Sequence, residues 1–247
     1  MKKLSTIIPT YDQPILTAKH VEGCMSGTVM PDEIIVVNDG GKSEILDELK
    51  KVEKKTKIIY ARINEDIPWN TNGAYNLGMF ISTGDAISLE DCDHIPWKDF
   101  YEKALEELVK GFDRSKGKSR CFMKMEEFSK PMTEWEGYKS AGTHILVGMY
   151  TRNILTKMKG YDERFGGHYG WNGADATRRL NKLGCKTSDV SGFYMVSDGC
   201  SLKETRPMFN GKPKMEKENF WQLRRNKEED GQVKHSILNF TYTIIDV

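Results

Sequence analysis

The sequence predicts an α/β protein with a mostly parallel central sheet flanked by helices. Four short apolar runs rich in β-branched residues lie within the first hundred residues. The segments between these runs are long enough for one helix each. Strands that alternate with helices in this way form βαβ units, which build a parallel sheet.

The predicted strands of the first half are followed by amphipathic or glycine-containing crossovers. The strands read LSTIIPT from Leu4, EIIVVND from Glu33, KIIYARI from Lys57 and DAISLED from Asp85. Pro14 to Ser26 and the stretch SEILDELKKV carry apolar residues at helical spacing. The third crossover, NTNGAYNLGMFISTG, contains glycines that weaken a helix but allow close approach of the backbone. WKDFYEKALEELVKGF is predicted as a helix with one apolar face.

The second half is less regular. Residues 113–136 are charged and irregular, THILVGMY from Thr143 predicts one more strand, and GADATRRLNKLG predicts a short helix that ends at Gly184. The segment 203–234 is dense in charge and predicts a mobile loop or arm. The final ILNFTYTII alternates apolar and polar residues, which predicts a strand with one buried face.

Composition excludes several classes of protein. The 37 basic and 36 acidic residues leave a net charge of +1, so no global field favours nucleic acid or an anionic membrane, although a local patch could still bind a nucleic-acid acceptor. The five cysteines are widely spaced and form no CxxC pair, which predicts reduced thiols and no zinc site. The N-terminus does not resemble a signal peptide, and no apolar run is long enough to span a membrane. We therefore expect a cytoplasmic protein.

Polar residues gather where three predicted strands end. The first strand ends in Pro9-Thr10-Tyr11-Asp12, the second in Asn38-Asp39-Gly40-Gly41 and the fourth in Asp91-Cys92-Asp93-His94. Each group alone is ordinary turn composition. Ligands of open parallel sheets bind beyond the carboxyl ends of the strands, however. The three groups together therefore indicate a ligand site.

Asp91 and Asp93 are the candidate metal ligands. On an extended chain, residues two apart point the same way, so the two carboxylates would repel unless a cation lies between them. Carboxylate oxygens suit Mg²⁺ or Mn²⁺, which often completes its coordination with substrate phosphates. Glu90 should point to the opposite face as a structural partner. His94 is either a neighbour of the metal or a packed histidine.

Four stretches, in order and at similar spacing, resemble the signatures of family 2 glycosyltransferases with the GT-A fold. They are STIIPTYDQ, EIIVVNDGG, NGAYNLGMFISTGDAISLEDCDHIP and MKGYDERFGGHYGWNGADATRRLNKLG, which together extend from Leu4 to Gly184. The resemblance implies a GT-A, Rossmann-like sheet with a smaller acceptor-side layer. We accordingly expect one catalytic domain over residues 1–202, with a nucleotide-sugar-binding half (1–112) and an acceptor half (113–202), followed by the charged C-terminal arm (203–247) that ends in a strand.

The resemblance also implies roles for individual residues on the donor side. Pro9, Thr10 and Tyr11 correspond to the segment that lines the nucleotide base, and Asp39 to the aspartate that reads a uracil edge. Asp91 and Asp93 stand at the DxD motif, where the second aspartate binds Mn²⁺ or Mg²⁺ and the first contacts the ribose or metal-bound water. Asn76 and Gly78 correspond to a segment near the donor phosphates. The family's arginine in that segment is Tyr75 here, so another cation, such as Arg62 or a residue of the arm, would have to replace it.

Asp175 corresponds to the catalytic base of the family's Glu-Asp pair, although Ala174 replaces the glutamate. An inverting transfer needs a carboxylate to accept the proton of the acceptor hydroxyl. An equally ordinary role for Asp175 is to pair with Arg178 or Arg179 one helical turn later. Trp69, Trp171 and Asn172 are candidate contacts for the donor sugar or the acceptor, since aromatic faces stack on sugars.

The resemblance thus implies a metal-dependent inverting transferase that moves a sugar from a nucleotide-diphosphate sugar, in most cases a UDP-sugar, to a glycan, lipid-linked or other hydroxyl acceptor. Two alternatives stay open. One is a nucleotide-sugar-binding module with impaired catalysis, which the replacements Tyr75 and Ala174 favour. The other is a sugar nucleotidyltransferase, for which the basic, glycine-rich loop expected after the first strand is missing from PTYDQPILTAK.

Overall fold

The computed structural model describes residues 3–41, 44–123, 127, 130–131, 134–136, 139–142, 145–196, 208–209, 212–213, 217–228 and 237–247. Within these residues the predicted α/β class and mostly parallel sheet are confirmed. The helices are α1 (Pro14–Cys24), α2 (Ile45–Lys51), α3 (Thr71–Ile81), α4 (Phe100–Val109), α5 (Arg152–Met158), α6 (Asn172–Lys182) and α7 (Lys217–Glu228), with a 3₁₀ turn at Glu163–Phe165.

An eight-stranded sheet forms the centre of the fold. Its members in chain order are β1 (Leu4–Thr10), β2 (Glu33–Asn38), β3 (Lys57–Ile63), β4 (Ala86–Leu89), β6 (Arg114–Gly117), β9 (Gly148–Thr151), β10 (Thr187–Val190) and β14 (Tyr242–Asp246). The spatial order is β10-β6-β9-β4-β1-β2-β3-β14. The strands β4, β1, β2 and β3 pair in parallel, as the βαβ pattern predicts.

The remaining strands form two smaller sheets. A four-stranded sheet has the order β5-β11-β7-β8, with β5 (His94–Pro96), β7 (Ser119–Met123), β8 (Lys139–Gly142) and β11 (Phe193–Val196). A two-stranded ribbon joins β12 (Met208–Phe209) to β13 (Lys212–Pro213). Because β5 follows β4 almost directly, the chain leaves the central sheet at the carboxyl end of β4.

The core lies on both faces of the central sheet. Every residue of β1 and β2 is buried, because helices cover both faces of these strands. Alternate residues face opposite layers, so that Ile8 and Val36 belong to the layer of α1, α2 and α4. Ile7 and Val37 belong to the layer of α3, α5 and α6. The two layers fix the carboxyl ends of β1, β2 and β4 along one edge.

The C-terminal segment differs from its sequence prediction. Residues 217–228, expected to be part of a mobile arm, form α7, which packs on α6 and the 3₁₀ turn. Its inward face carries the buried polar residues Asn219, Gln222 and Asn226 beside Leu223, so no apolar periodicity marks it in the sequence. The last strand begins only at Tyr242 and pairs antiparallel with β3. It lies at the edge of the sheet, and Leu238, Phe240 and Tyr242 are half-buried and pack against the core, as the alternation predicts, whereas Ile244 is exposed.

Among the described residues, none of the helices combines the length and the apolar character needed to cross a bilayer.

Candidate functional site

A tight turn after β4 forms the centre of the candidate site. The backbone amide of His94 donates to the carbonyl of Asp91 (2.8 Å), which closes a turn over residues 91–94. Potential ligand atoms of Asp91, Asp93 and His94 consequently lie within 4.8 Å of one another. The expectation that Asp91 and Asp93 meet on an extended strand is therefore wrong, because the turn brings them together instead. His94 Nδ1 lies 2.6 Å from Asp93 Oδ1, and this contact orients the Asp93 carboxylate.

Tyr75 on α3 anchors the other carboxylate of the turn. Its hydroxyl donates to Asp91 Oδ1 over 2.7 Å, and its ring stacks on Tyr161 with centroids 5.3 Å apart. Complete burial, together with the nearby charge of Asp91, raises the pKa of Tyr75 well above its ordinary value. Tyr75 therefore remains a hydrogen-bond donor at neutral pH and holds Asp91 in one orientation.

Glu90 points away from this turn into the core, as the sequence predicts. Its Oε1 accepts hydrogen bonds from Ser88 (2.5 Å) and Tyr101 (2.9 Å), and its Oε2 lies 2.7 Å from His20 Nε2. Cys24 Sγ also approaches Oε2 at 3.7 Å, and burial followed by the charge of Glu90 raises the pKa of that thiol. All these groups are buried, so the cluster ties β4 to α1 and α4.

The ends of β1 and β2 lie side by side at the same edge. The amide of Asp39 donates to the carbonyl of Thr10 (2.9 Å), which brings the segment Pro9-Thr10-Tyr11 next to Asp39. Gly40 has φ +82°, and a Cβ there would lie 2.4 Å from the Glu65 carbonyl oxygen, so this turn requires glycine. Asp39 and the Thr10 backbone thus lie next to each other at the carboxyl edge of the sheet.

Asn76 and Gly78 on α3 are buried in the packing between elements. Asn76 donates to the Tyr161 carbonyl (2.9 Å) and to Glu163 Oε1 (2.8 Å), and it accepts from the Tyr161 amide (2.7 Å). A Cβ on Gly78 would lie 2.3 Å from Ile7 Cγ2, so the glycine lets α3 approach β1 closely. These contacts explain both residues structurally, and their contact with a donor stays a prediction.

Aromatic residues line the approach to the turn. The rings of Trp69 and Tyr169 lie 4.5 Å apart, and burial, followed by the charges of Asp91 and Asp93, raises the pKa of Tyr169. Trp69 and Trp171 both have left-handed backbones, with φ of 54° and 66°. Such strained residues are concentrated at functional sites. Because the charges of Asp91 and Asp93 act on it, Tyr169 lies near the turn. Trp171 instead packs against Phe220 of α7, with ring centroids 5.3 Å apart.

Asp175 lies in a buried polar network on the first turn of α6 and is 1% exposed. Its Oδ1 accepts from Arg178 Nη2 (3.0 Å) and from Asn226 Nδ2 (3.1 Å), and its Oδ2 accepts from Arg179 Nε (2.9 Å). Arg179 also donates to the carbonyls of Met158 and Gly160, both at 2.8 Å. The structural partners that the sequence suggested for Asp175 are thus both present.

The helix α7 packs over this network, and no pattern in the sequence indicated it. Asn226 donates to Asp175 and also to Asp162 Oδ2 (2.7 Å). Asn219 donates to the carbonyls of Phe165 (3.1 Å), His168 (2.7 Å) and Gly170 (3.0 Å), and so orders the loop that carries Tyr169. On the other side, Asn172 donates to Asn72 Oδ1 (3.0 Å) and joins α6 to α3.

The comparison with family models decides the assignment. The model described as glycosyl transferase family 2 matches residues 5–196. The chain belongs to glycosyl transferase family 2. Its resemblance in sequence to that family is therefore confirmed.

The chain is also similar in sequence to individual proteins. The chain is 32% identical over 111 residues to a protein named chondroitin synthase from Pasteurella multocida (strain Pm70), an alignment that covers 44% of this chain and 11% of the relative. The chain thus spans a small part of that relative's length.

Solved structures show that this family 2 chain has the GT-A fold. Staphylococcus aureus TarS 1–349 matches 90% of this chain and 63% of its own, with a TM-score of 0.61 and 14% identity. The mannosyltransferase PcManGT from Pyrobaculum calidifontis, solved with GDP-Man and Mn²⁺, matches 79% of this chain and 56% of its own, with a TM-score of 0.54 and 13% identity. At these identities the likeness extends to the fold alone.

Two replacements stay predictions, because they rest on the resemblance of single motifs. Tyr75, predicted to replace the family's arginine, donates its hydroxyl to Asp91. Ala174, predicted to replace the family's glutamate, directly precedes Asp175. Arg62, the suggested substitute cation, lies on β3 opposite Asn38 of β2, and its Nε is buried without a hydrogen-bond partner among the described residues.

Proposed function

We propose that this domain transfers a sugar, with inversion, from a nucleotide-diphosphate sugar to an acceptor hydroxyl. The observation that carries the proposal is the turn at residues 91–94, where Asp91, Asp93 and His94 converge beside Tyr75 and Tyr169. The carboxyl edge of a parallel sheet is where α/β folds bind nucleotides. Family membership supports glycosyl transfer as the chemistry.

The potential ligand atoms of the turn fit a divalent cation. Two carboxylates suit Mg²⁺ or Mn²⁺, and an imidazole beside them is tolerated better by Mn²⁺ than by Mg²⁺. In this proposal Asp93 binds the ion, His94 orients Asp93, and Asp91 contacts the ribose or a water on the ion. When bound, the cation would neutralise charge on the leaving diphosphate.

The remaining residues of the edge would bind the donor. Pro9, Thr10 and Tyr11 would line the base, and Asp39 beside the Thr10 carbonyl would accept the imide N–H of uracil, which favours a UDP-sugar. Asn76 and Gly78 would act near the donor phosphates by holding α3 in position. Arg62 would supply the positive charge that a tyrosine at position 75 cannot supply.

Asp175 is the proposed base. The acceptor oxygen bonds to the anomeric carbon, the bond from that carbon to the diphosphate oxygen breaks, and the hydroxyl proton passes to the Asp175 carboxylate. Each carboxylate oxygen has two lone-pair sites, and Oδ2 accepts one hydrogen bond from Arg179. Substrate entry would have to open a path to that oxygen. Trp69, Trp171 and Asn172 would contact the donor sugar or a glycan, lipid-linked or other hydroxyl acceptor.

Release of nucleoside diphosphate tests this function. Purified protein is incubated with Mn²⁺, a panel of UDP- and GDP-sugars and mixed hydroxyl acceptors. We expect acceptor-dependent release, which Asp93→Ala and Asp175→Asn each abolish while circular dichroism shows a folded protein. Full activity in both variants would contradict the proposal.

A nucleotide-sugar-binding module is the second candidate. It is favoured by the burial of Asp175 and by the hydrogen bonds to both its oxygens. The two functions differ in one result. Binding of UDP and Mn²⁺ without turnover on any donor and acceptor pair would support the module, whereas turnover that Asp175→Asn abolishes would exclude it.

A further inference from the structure

The back of the turn at residues 91–94 is held by α1. His20 of that helix is completely buried, and its Nδ1 lies 3.0 Å from the carbonyl oxygen of Cys92. The hydroxyl of Thr17, almost one turn earlier on α1, lies 3.3 Å from Cys92 Sγ. The helix therefore holds the turn at the residue between the two aspartates of the proposed metal site.

The tautomer of His20 follows from its two contacts. A carbonyl oxygen only accepts hydrogen bonds, so Nδ1 carries a proton and donates it to Cys92. Nε2 lies 2.7 Å from Glu90 Oε2, so a second proton lies between those two atoms. Glu90 is itself held in place, because its Oε1 accepts from Ser88 and Tyr101. The imidazole ring is thus held at both nitrogens, and its Nδ1–H points at one backbone carbonyl.

The carbonyl that His20 binds belongs to the central peptide group of the turn. The hydrogen bond from the His94 amide to the Asp91 carbonyl makes Cys92 and Asp93 the two central residues. The peptide group that joins them can point in two opposite directions, which distinguish a type I turn from a type II turn. The type II direction requires a positive φ at Asp93, and Asp93 is not one of the described residues with positive φ. The bond from His20 therefore stabilises the direction that leaves Asp93 unstrained.

Rotation of this central peptide group would disturb the proposed metal site. The φ angle of Asp93 would change with it, and the carboxylate of Asp93 would turn relative to that of Asp91. Metal ligands work only when they are held within roughly 0.5 Å of their productive positions. A group that fixes the central peptide of the turn thus controls the geometry of both carboxylates.

We propose that His20 is a positioning residue of the donor site, whose hydrogen bond to the Cys92 carbonyl holds the turn at residues 91–94 in its metal-binding shape. The inference rests on the proposed function and adds to it a residue of α1 for which the sequence predicted no role. Both ring nitrogens are already engaged, so His20 acts through the turn and not on the cation or the substrate.

A pair of substitutions separates the two contacts of His20. The amide nitrogen of asparagine takes the place of Nδ1, and that of glutamine takes the place of Nε2. His20→Asn therefore keeps a donor for Cys92 and loses the contact with Glu90, whereas His20→Gln does the reverse. Ser5→Ala is the control for a general loss of stability, since Ser5 is buried at the other end of β1 and donates to Glu33.

The measured quantity is the gain in UDP affinity that Mn²⁺ produces, obtained by calorimetric titration of each protein with and without the metal. His20→Gln should lose about tenfold or more of this gain, the usual effect of removing a group that orients metal ligands. His20→Asn and Ser5→Ala should keep most of it, although the melting temperature falls in all three variants. A full gain in His20→Gln, or an equal loss in both His20 variants, would overturn the inference, because the effect would then not depend on the donor to Cys92.

Nuclear magnetic resonance of the wild type tests the same bond if a His20 variant does not fold. In isotope-labelled protein, His20 Nδ1 should carry a proton that exchanges slowly with water, and its resonance should shift when UDP and diamagnetic Mg²⁺ are added. An unprotonated Nδ1, or a resonance that does not respond to UDP and Mg²⁺, would refute the inference. A wild type without any metal-dependent gain in UDP affinity would instead refute the proposed function, and the inference with it. A gain in the wild type that His20→Gln keeps in full refutes the inference alone.

Discussion

The hydroxyl of Tyr75 donates to Asp91 Oδ1 over 2.7 Å, so a buried tyrosine on α3 positions a carboxylate of the turn after β4. An arginine in this place would bring a positive charge to the donor phosphates. Tyrosine brings none, and its role is to hold Asp91. This contact connects the helical layer to the proposed metal site and can be tested separately from the metal ligands.

Tyr75→Phe should weaken binding of UDP with Mn²⁺ and leave the fold intact. The variant keeps the ring stacked on Tyr161 and removes one hydrogen bond to a charged group, which amounts to roughly a tenfold loss in affinity. Calorimetric titration measures this loss. Tyr101→Phe is the matched control, since its hydroxyl bonds Glu90 and not Asp91. Equal affinities in Tyr75→Phe and wild type would show that this hydrogen bond does not position the ligand.

Glu90→Gln should destabilise the protein and spare the turn at residues 91–94. The buried carboxylate accepts from Ser88 and Tyr101 through Oε1, and its Oε2 lies 2.7 Å from His20 Nε2, so replacing one carboxylate oxygen with an amide NH₂ group disrupts at least one of these contacts. We expect the free energy of unfolding in urea to fall by about 1–3 kcal/mol. The exposed Glu106→Gln serves as control and should change little. If Glu90→Gln instead abolished UDP binding at unchanged stability, Glu90 would belong to the ligand site.

Asn226→Ala should loosen α7 from α6. It removes hydrogen bonds to Asp162 and Asp175, and the neighbouring loop depends on Asn219 of the same helix. Hydrogen exchange should rise in residues 217–228 and 165–170, whereas the central sheet stays protected. Arg224→Ala, on the exposed side of α7, should leave exchange unchanged. Unaltered exchange in Asn226→Ala would mean that the helix is held by other contacts.

Glu33 should contribute a pH-dependent part of the stability. Burial alone would raise its pKa, but hydrogen bonds from the Ser5 hydroxyl and from the amide and hydroxyl of Thr83 outweigh burial and lower it. A carboxyl whose pKa is lower in the folded state stabilises fully above its unfolded pKa of about 4.3. That contribution is lost as pH falls through the folded value. The difference in unfolding free energy between wild type and Glu33→Gln should thus be constant near neutral pH and shrink in acid. A difference independent of pH would contradict this.

The sheet could be predicted because burial on both faces leaves apolar runs, as in β1 and β2, that read directly as strands. The positions of Asp39, Asp91 and Asp93 at strand ends followed from that sheet. The turn that joins Asp91 to His94 could not be predicted, because it depends on a backbone hydrogen bond rather than on residue spacing. The helix α7 was missed because Asn219 and Asn226 face inward to bind loop carbonyls and carboxylates, whereas apolar periodicity finds only helices with an apolar face. The burial of Asp175 depends on Asn226, fifty-one residues later in the chain, and no local pattern encodes such a contact.

Calorimetric titration of UDP into wild type and Asp93→Asn, each with and without Mn²⁺, tests the central claim most directly. Asparagine has the size of aspartate but lacks the charge that would hold the cation. We predict that UDP binds wild type tightly only when Mn²⁺ is present, and that Asp93→Asn loses this metal-dependent gain while its melting temperature stays close to that of wild type. Binding of UDP that is equally tight without metal, or equally enhanced by Mn²⁺ in Asp93→Asn, would contradict a metal-assisted donor site at this turn.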